Sequence, residues 1–260
     1  SMTAATLADV LFKALSGLAF GLCMGSLIAN FAHRWPDRLA GLAGDRSRCE
    51  ACGTVLGVAD LVPVASWLLL KGRCRHCGAG VPGHYTVVEL VSGLTGLASL
   101  ALLPVPAAIA VAIAGWMLLA MALVDLRHMI LPDSLTLPLL AGGLVLAVVA
   151  GHLLPDWPGP TAMMAFAGAA TGLGGFFLVR ETYRRLRGRE GLGLGDVKLM
   201  GAAGAWLGPE PLAHVLLIGA LAGLATAFRR GVSLDSAAAV PFGPALAFAF
   251  WIVLLFSWQG

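Results

Sequence analysis

Charged residues are missing from long blocks of this chain and crowded into the short stretches between them. No Asp, Glu, Lys or Arg occurs in 90–124, 135–155, 157–179, 211–228 or 236–260. A bilayer span needs about 20 apolar residues, whereas a helix in a soluble core would keep one polar face. The blocks therefore read as membrane helices. Eight spans are predicted, at 7–31, 86–103, 105–124, 135–154, 161–179, 197–207, 212–228 and 241–257. The block 90–124 is too long for one span, and Pro104 and Pro106 at its middle break it into a hairpin. The span at 197–207 is the shortest, is rich in glycine and carries Lys198 at its start. Segment 7–31 is read as a first helix, not a secretory signal. It is too long, its leading residues include Asp9, and further spans follow.

Composition agrees with this pattern. Of 260 residues, 58% are hydrophobic and 12% charged, against about 25% charged in soluble domains. The net charge of +3 says less than its placement. Seven Lys and Arg residues lie between Ala32 and Tyr85, Arg127 follows the third span, six fall from Arg180 to Lys198, and Arg229 and Arg230 follow the seventh span. These are alternate loops, and Lys13 inside the first helix is the only exception. The positive-inside rule makes that side cytoplasmic and puts both termini outside. The basic run from Arg180 reads as a lipid-facing juxtamembrane segment, and nothing in the chain has the form of a nucleic-acid module. Lys198 reads either as pairing with a carboxylate or as snorkelling to the interface, with snorkelling preferred. Trp35, Trp157, Trp206 and Trp258, near span ends, read as interfacial anchors.

The largest loop carries two cysteine pairs, Cys49 with Cys52 and Cys74 with Cys77, separated by 21 residues and each followed by glycine. Each Cys-x-x-Cys places two thiolates about 2.3 Å from one Zn²⁺, and two pairs complete a tetrahedron. The glycines permit the positive φ that turns backbone N–H groups toward the sulfurs. Disulfides do not suit a reducing cytoplasmic loop, and redox chemistry of the thioredoxin kind needs one pair in a βαβ setting. Four protein ligands fill the shell, so the zinc is expected to be structural and to supply stability that about 50 residues lack alone. His76 and His84 are read as bystanders, and Cys23 as a packing residue. The fold class is thus an all-α polytopic membrane protein, about eight helices with a small cytoplasmic zinc-knuckle domain between the first two. The expected divisions are 5–32 for the first helix, 33–85 for the four-cysteine zinc domain and 86–258 for a seven-helix membrane domain.

Asp125 and Asp196 stand at edges of apolar helices. A carboxylate at mid-bilayer costs about 2.5–3.5 kcal/mol and less near the edge, so each calls for a reason. Taken singly, Asp125 reads as a solvated helix end and Asp196 as an N-cap. Taken together, two carboxylates on different helices can share a proton, as in aspartic proteases. As intramembrane acids they also suit an ion- or proton-coupled transporter, although the inverted repeats expected of one are not found. A zinc-stabilised scaffold without catalysis is a third reading.

Asp125-Leu-Arg-His-Met-Ile-Leu-Pro-Asp133 and Gly193-Leu-Gly-Asp-Val-Lys198 closely resemble the two aspartate motifs of the prepilin peptidases, or type IV leader peptidases. The resemblance extends to Gly25-Ser26, Arg34 and Pro36 after the first helix, and to the paired cysteines of the longer bacterial form. It also takes in Tyr85-Thr-Val-Val-Glu89 and Pro241-Phe-Gly-Pro244. It implies an intramembrane aspartyl protease of the bacterial inner membrane that cuts leaders of type IV prepilins or type II secretion pseudopilins at the cytoplasmic face. Membrane lipids and the pilus or secretion machinery would be its partners. By that likeness Asp125 and Asp196 are the catalytic pair, and Asp133 is a motif residue without a catalytic role. Many relatives also methylate the new N-terminus with S-adenosylmethionine. The family's usual Asn falls here on Ala29, with Asn30 next to it, a shift of about 100° around a helix.

Overall fold

The computed structural model describes residues 4–36, 47–154, 156–188, 191–229, 231 and 241–259. Arg38, Arg46, Arg189 and Arg230, part of the predicted positive side, lie outside the described residues. The described chain is all-helical: α1 (Ala4–Arg34), α2 (Ala65–Leu69), α3 (His84–Leu102), α4 (Val105–His128), α5 (Asp133–Leu153), α6 (Ala162–Arg187), α7 (Leu194–Leu207), α8 (Leu212–Arg229) and α9 (Gly243–Ser257). Six of these, α1, α3, α4, α5, α6 and α8, are long and apolar enough to cross a membrane. The protein is therefore multi-pass. Every predicted span corresponds to a helix. At 14 residues, α7 is about 21 Å long, shorter than a hydrocarbon core of about 30 Å, and α9 has 15 residues.

Helix ends differ from the sequence expectation where charged residues continue a helix. α6 runs two turns past Val179 through Arg and Glu, good helix formers, and stops at Gly188 with φ 66°. α4 continues to His128 and closes on Met129 with φ 55°, so Asp125 lies inside its last turn. α7 starts at Leu194, which places Asp196 in its first turn, with Gly193 as the N-cap. The N-cap expectation for Asp196 is corrected accordingly.

The chain divides into two compact units, Ser1–Leu102 and Leu103–Gly260. In the first, α1 packs along α3 through Gly17, Gly21 and Gly25, one per helical turn. A Cβ on Gly25 would stand 2.5 Å from Glu89 Cα, and one on Gly21 2.5 Å from the Ser92 carbonyl oxygen. Ser92 Oγ donates to the Gly21 carbonyl over 2.6 Å. Small residues at four-residue spacing let membrane helices approach backbone to backbone.

In the second unit, α7 lies against α6 and α5, while α4 and α8 pack on α9. The α6–α7 contact again uses glycine: a Cβ on Gly168 would meet the Gly204 carbonyl, and one on Gly172 the Met200 carbonyl. On the α5 side, Trp206 Nε1 donates to the Leu139 carbonyl over 2.8 Å. Trp206 and Trp258 are buried and stack at 5.8 Å, with Trp157 edge-on to Trp258 at 5.0 Å. These three form a packed cluster, because flat rings fill the gap left by small neighbours such as Gly143 and Gly159. Trp206 and Trp258, read from the sequence as interfacial anchors, are buried packing residues instead.

Candidate functional site

Asp125 and Asp196 are both buried, 6% and 9% exposed. Gly243, at the start of α9, donates its N–H to Asp125 Oδ2 over 3.1 Å, linking positions 118 residues apart. Asp196 accepts from the N–H of Gly193, a side chain reaching back to its own helix start. Leu131 sits between their supports: its side chain fills the space a Cβ would need on Gly243 and on Gly195. Helices α4 and α7 thus bring the two carboxylates into one site, α4 through the N-terminus of α9 and α7 through the loop that carries Leu131. Two acids close enough to share one proton can act together as base and acid.

Three further contacts support this site. Arg180 is 8% exposed, and its Nε donates to the Leu192 carbonyl over 3.1 Å. This holds the loop that leads into α7, so Arg180 is a brace within the fold and not part of a lipid-facing basic run. The Tyr183 ring occupies the position of a side chain on Gly191. Lys198 Nζ donates to both carboxylate oxygens of Asp133, at 2.7 and 2.8 Å. Of the two readings for Lys198, the structure shows the carboxylate pairing and not the preferred snorkelling, since a carboxylate at the start of α5 lies within reach. The only sequence hint for Arg180 is its place directly after a charge-free block.

The cysteines form two matching turns. Gly53 donates to the Cys49 carbonyl and Cys49 to the Thr54 carbonyl, each over 2.9 Å; Gly78 donates to Cys74 over 2.9 Å and Cys74 to Ala79 over 2.8 Å. Isolated bridges pair Arg48 with Val55 and Arg73 with Gly80. Gly53 and Gly78 take φ of 69° and 72°, the left-handed region that glycine adopts without penalty. The four Sγ atoms lie within 4.8 Å of one another, and Cys49 Sγ is 3.8 Å from Cys77 Sγ. A tetrahedron with bonds of about 2.3 Å has edges of about 3.8 Å, while a disulfide needs about 2.05 Å. The donor set therefore fits zinc. Thr54, with its hydroxyl 3.3 Å from Cys52 Sγ, helps bring that thiol down to about 6, which favours the thiolate a metal needs. Beside the cluster, Arg75 donates to Asp60 over 2.7 Å and holds its carboxyl below the usual range. Tyr85 Oη donates to Glu50 over 3.0 Å, and His84 stacks on Tyr85.

Residues 112–228 match the sequence profile described as "Type IV leader peptidase family", and residues 19–103 match that of the "Bacterial Peptidase A24 N-terminal domain". Among curated proteins, the chain is similar to the prepilin leader peptidase/N-methyltransferase of Aeromonas salmonicida (strain A449). The two are 38% identical over 227 residues, which is 85% of this chain and 75% of the relative. It is 39% identical to the protein of the same name from Aeromonas hydrophila, over 82% of this chain and 72% of that one. The figure for that of Burkholderia pseudomallei (strain K96243) is 37%, over 88% and 81%. No solved structure matches.

Proposed function

The chain belongs to the type IV leader peptidase family, and on that premise we propose that it removes the leaders of type IV prepilins or type II secretion pseudopilins. Cleavage would take place at the cytoplasmic face of the bacterial inner membrane, with Asp125 and Asp196 as the catalytic pair. The observation that carries this reading is the convergence of two buried carboxylates from α4 and α7. In the reaction, one carboxylate takes a proton from water as the oxygen attacks the scissile carbonyl carbon. The other, protonated, donates to the carbonyl oxygen, and a proton then passes to the leaving amine nitrogen as the C–N bond breaks. The pair works as one titrating unit. The N–H groups of Gly243 and Gly193 fix the orientation of the two acids.

Cys49, Cys52, Cys74 and Cys77 would hold a structural zinc, all four positions being filled by protein. The names of the relatives support a second step, methylation of the newly exposed N-terminal amine with S-adenosylmethionine as donor. Assembly machinery of pili or type II secretion would receive the product. A transport function has no counterpart among the relatives above.

The test is mass spectrometry of a model prepilin incubated with the purified full chain in detergent. Cleavage is expected, and Asp125→Asn and Asp196→Asn should each lower its rate by at least about 10³-fold. Either variant processing the leader at the wild-type rate overturns the assignment.

A further inference from the structure

The loop between α1 and α3 carries apolar side chains that no part of the described chain covers. Segment 57–71 reads Gly-Val-Ala-Asp-Leu-Val-Pro-Val-Ala-Ser-Trp-Leu-Leu-Leu-Lys, with Asp60 and Lys71 its only charges. Val58, Leu68 and Leu69 are 86%, 61% and 82% exposed. The Ser66 N–H donates to the Val62 carbonyl over 3.1 Å, so a helical turn leads into α2. Val62, Ala65, Leu68 and Leu69, all exposed, follow one another at three- and four-residue spacing and share one side of that helix. Trp67 turns the other way: its Nε1 donates to the Val81 carbonyl over 3.0 Å, and its ring fills the space beside Gly72. The Asp60 side chain is only 10% exposed and accepts from Arg75 and from the Gly57 N–H, so no bare carboxylate interrupts the apolar surface.

The level of this segment follows from its tie to α3. With 19 residues, α3 is about 28 Å long, close to a hydrocarbon core of about 30 Å. Its first residue, His84, therefore lies at the edge of the core. Val87, Leu90, Val91 and Leu94 are already exposed apolar residues along this span, and Glu89 lies among them in sequence, below the first turn. Helical side chains lean toward the N-terminus of their helix, and Glu89 Oε2 accepts the Val64 N–H over 2.8 Å. Val64 is thereby fastened beside the first turns of a membrane span. It has φ 61° and ψ −50°, with the Ala65 N–H closing onto the Pro63 carbonyl. That is the strained, positive-φ form of the γ-turn, adopted by a β-branched residue that disfavours it. Val62 and α2 flank this fastened turn on either side, so their exposed side chains stand at the level of the lipid and not out in water.

We propose that residues 57–71 are an interfacial membrane anchor: Val58, Val62, Leu68 and Leu69 enter the bilayer at the boundary between headgroups and acyl chains, in the leaflet where α3 starts. Interfacial helices sink their apolar face about 5–10 Å into that zone, the depth to which the Glu89 bond draws Val64. Charge agrees with a lipid partner. Between 57 and 83 the basic residues are Lys71, Arg73 and Arg75, all exposed, and the only acid is Asp60, which Arg75 pairs. Such a balance suits anionic headgroups above an apolar insertion. The four-cysteine loop is then held against the bilayer by α2 as well as by the two spans it joins. The inference rests on the membrane reading of α3 and is independent of the peptidase chemistry.

Photocrosslinking of the full chain in nanodiscs of phosphatidylcholine and phosphatidylglycerol tests this. The photoreactive residue benzoylphenylalanine replaces Leu69, Val58 or, as a control, His76, which is exposed on the second cysteine turn. After irradiation, intact-protein mass spectrometry should show adducts of one phospholipid at positions 69 and 58 at least about 5-fold above those at position 76. A thermal transition matching the wild type reports folding, and if one labelled chain fails that check the other decides. Control-level adducts at either apolar position in a folded chain overturn the anchor. So does a product of two crosslinked chains at position 69 in place of lipid adducts, which would make this surface an interface between copies.

Discussion

Gly243 holds Asp125 through its backbone N–H at 3.1 Å, and a Cβ on that same glycine would stand 2.6 Å from the carboxylate oxygen it serves. The contact thus requires both the donor and the missing side chain. Gly243→Ala keeps the N–H but drives Asp125 out of place. Misplacement by about 1 Å can cost about 10²-fold in rate, so kcat for a model prepilin should fall by that order, with KM within a few-fold of wild type. Steady-state kinetics with a parallel thermal melt is the check, and a wild-type kcat would show that Asp125 works without this support.

Lys198 and Asp133 form a two-toothed ion pair across 65 residues, with side chains 34% and 56% exposed. Exposed pairs are worth about 0–1 kcal/mol. Asp133→Asn and Lys198→Met should therefore each shift the thermal transition by less than about 4 °C and slow cleavage by less than about 10-fold. Higher ionic strength should narrow the difference from wild type. A loss at Asp133→Asn as deep as that at Asp125→Asn would move Asp133 into the catalytic set.

Zinc should be measurable in the purified chain at about one ion per molecule, as four thiolates fill one tetrahedron. Cys49→Ser should lower that content sharply in inductively coupled plasma analysis. Chelation should increase proteolysis between residues 47 and 83, because metal binding and folding are coupled in small domains of this kind. Unchanged metal content in Cys49→Ser would assign the ion elsewhere.

Gly204 meets Gly168 backbone to backbone, and a Cβ at either would meet main-chain atoms that cannot rotate away. Overpacking costs about 1–3 kcal/mol where side chains can adjust. Here Gly204→Leu should exceed that range, lower the thermal transition in detergent, and abolish cleavage by displacing α7 and Asp196. Gly174→Leu, on the same helix as Gly168 and with nothing near its Cβ position, should leave both unaffected.

Much of this architecture was legible in the order of residues. Charge-free blocks marked the helices, and Pro104 and Pro106 marked the turn that now caps and opens α4. The cysteine spacing foretold a four-sulfur cluster, since ligand geometry is local to each turn. What escaped were contacts made by backbone groups or across long separations. Gly243 with Asp125, Arg180 with Leu192 and Trp206 with Leu139 have no periodicity that could announce them. The strained turn at Val64 was hidden for another reason: its sequence has none of the glycine or asparagine that usually advertises positive φ.

The glycine contact between α6 and α7 has a mechanical corollary. Two main chains pressed together without intervening side chains behave as a single plank, and the Arg180 clasp on Leu192 fastens its end. Asp196 rides on that plank, while Asp125 is moored to α9. Under the proposed function, a peptide held by both acids would bear on a braced pair of rods and a moored one, so its fit would be registered by whole helices and not by the flexing of one acid.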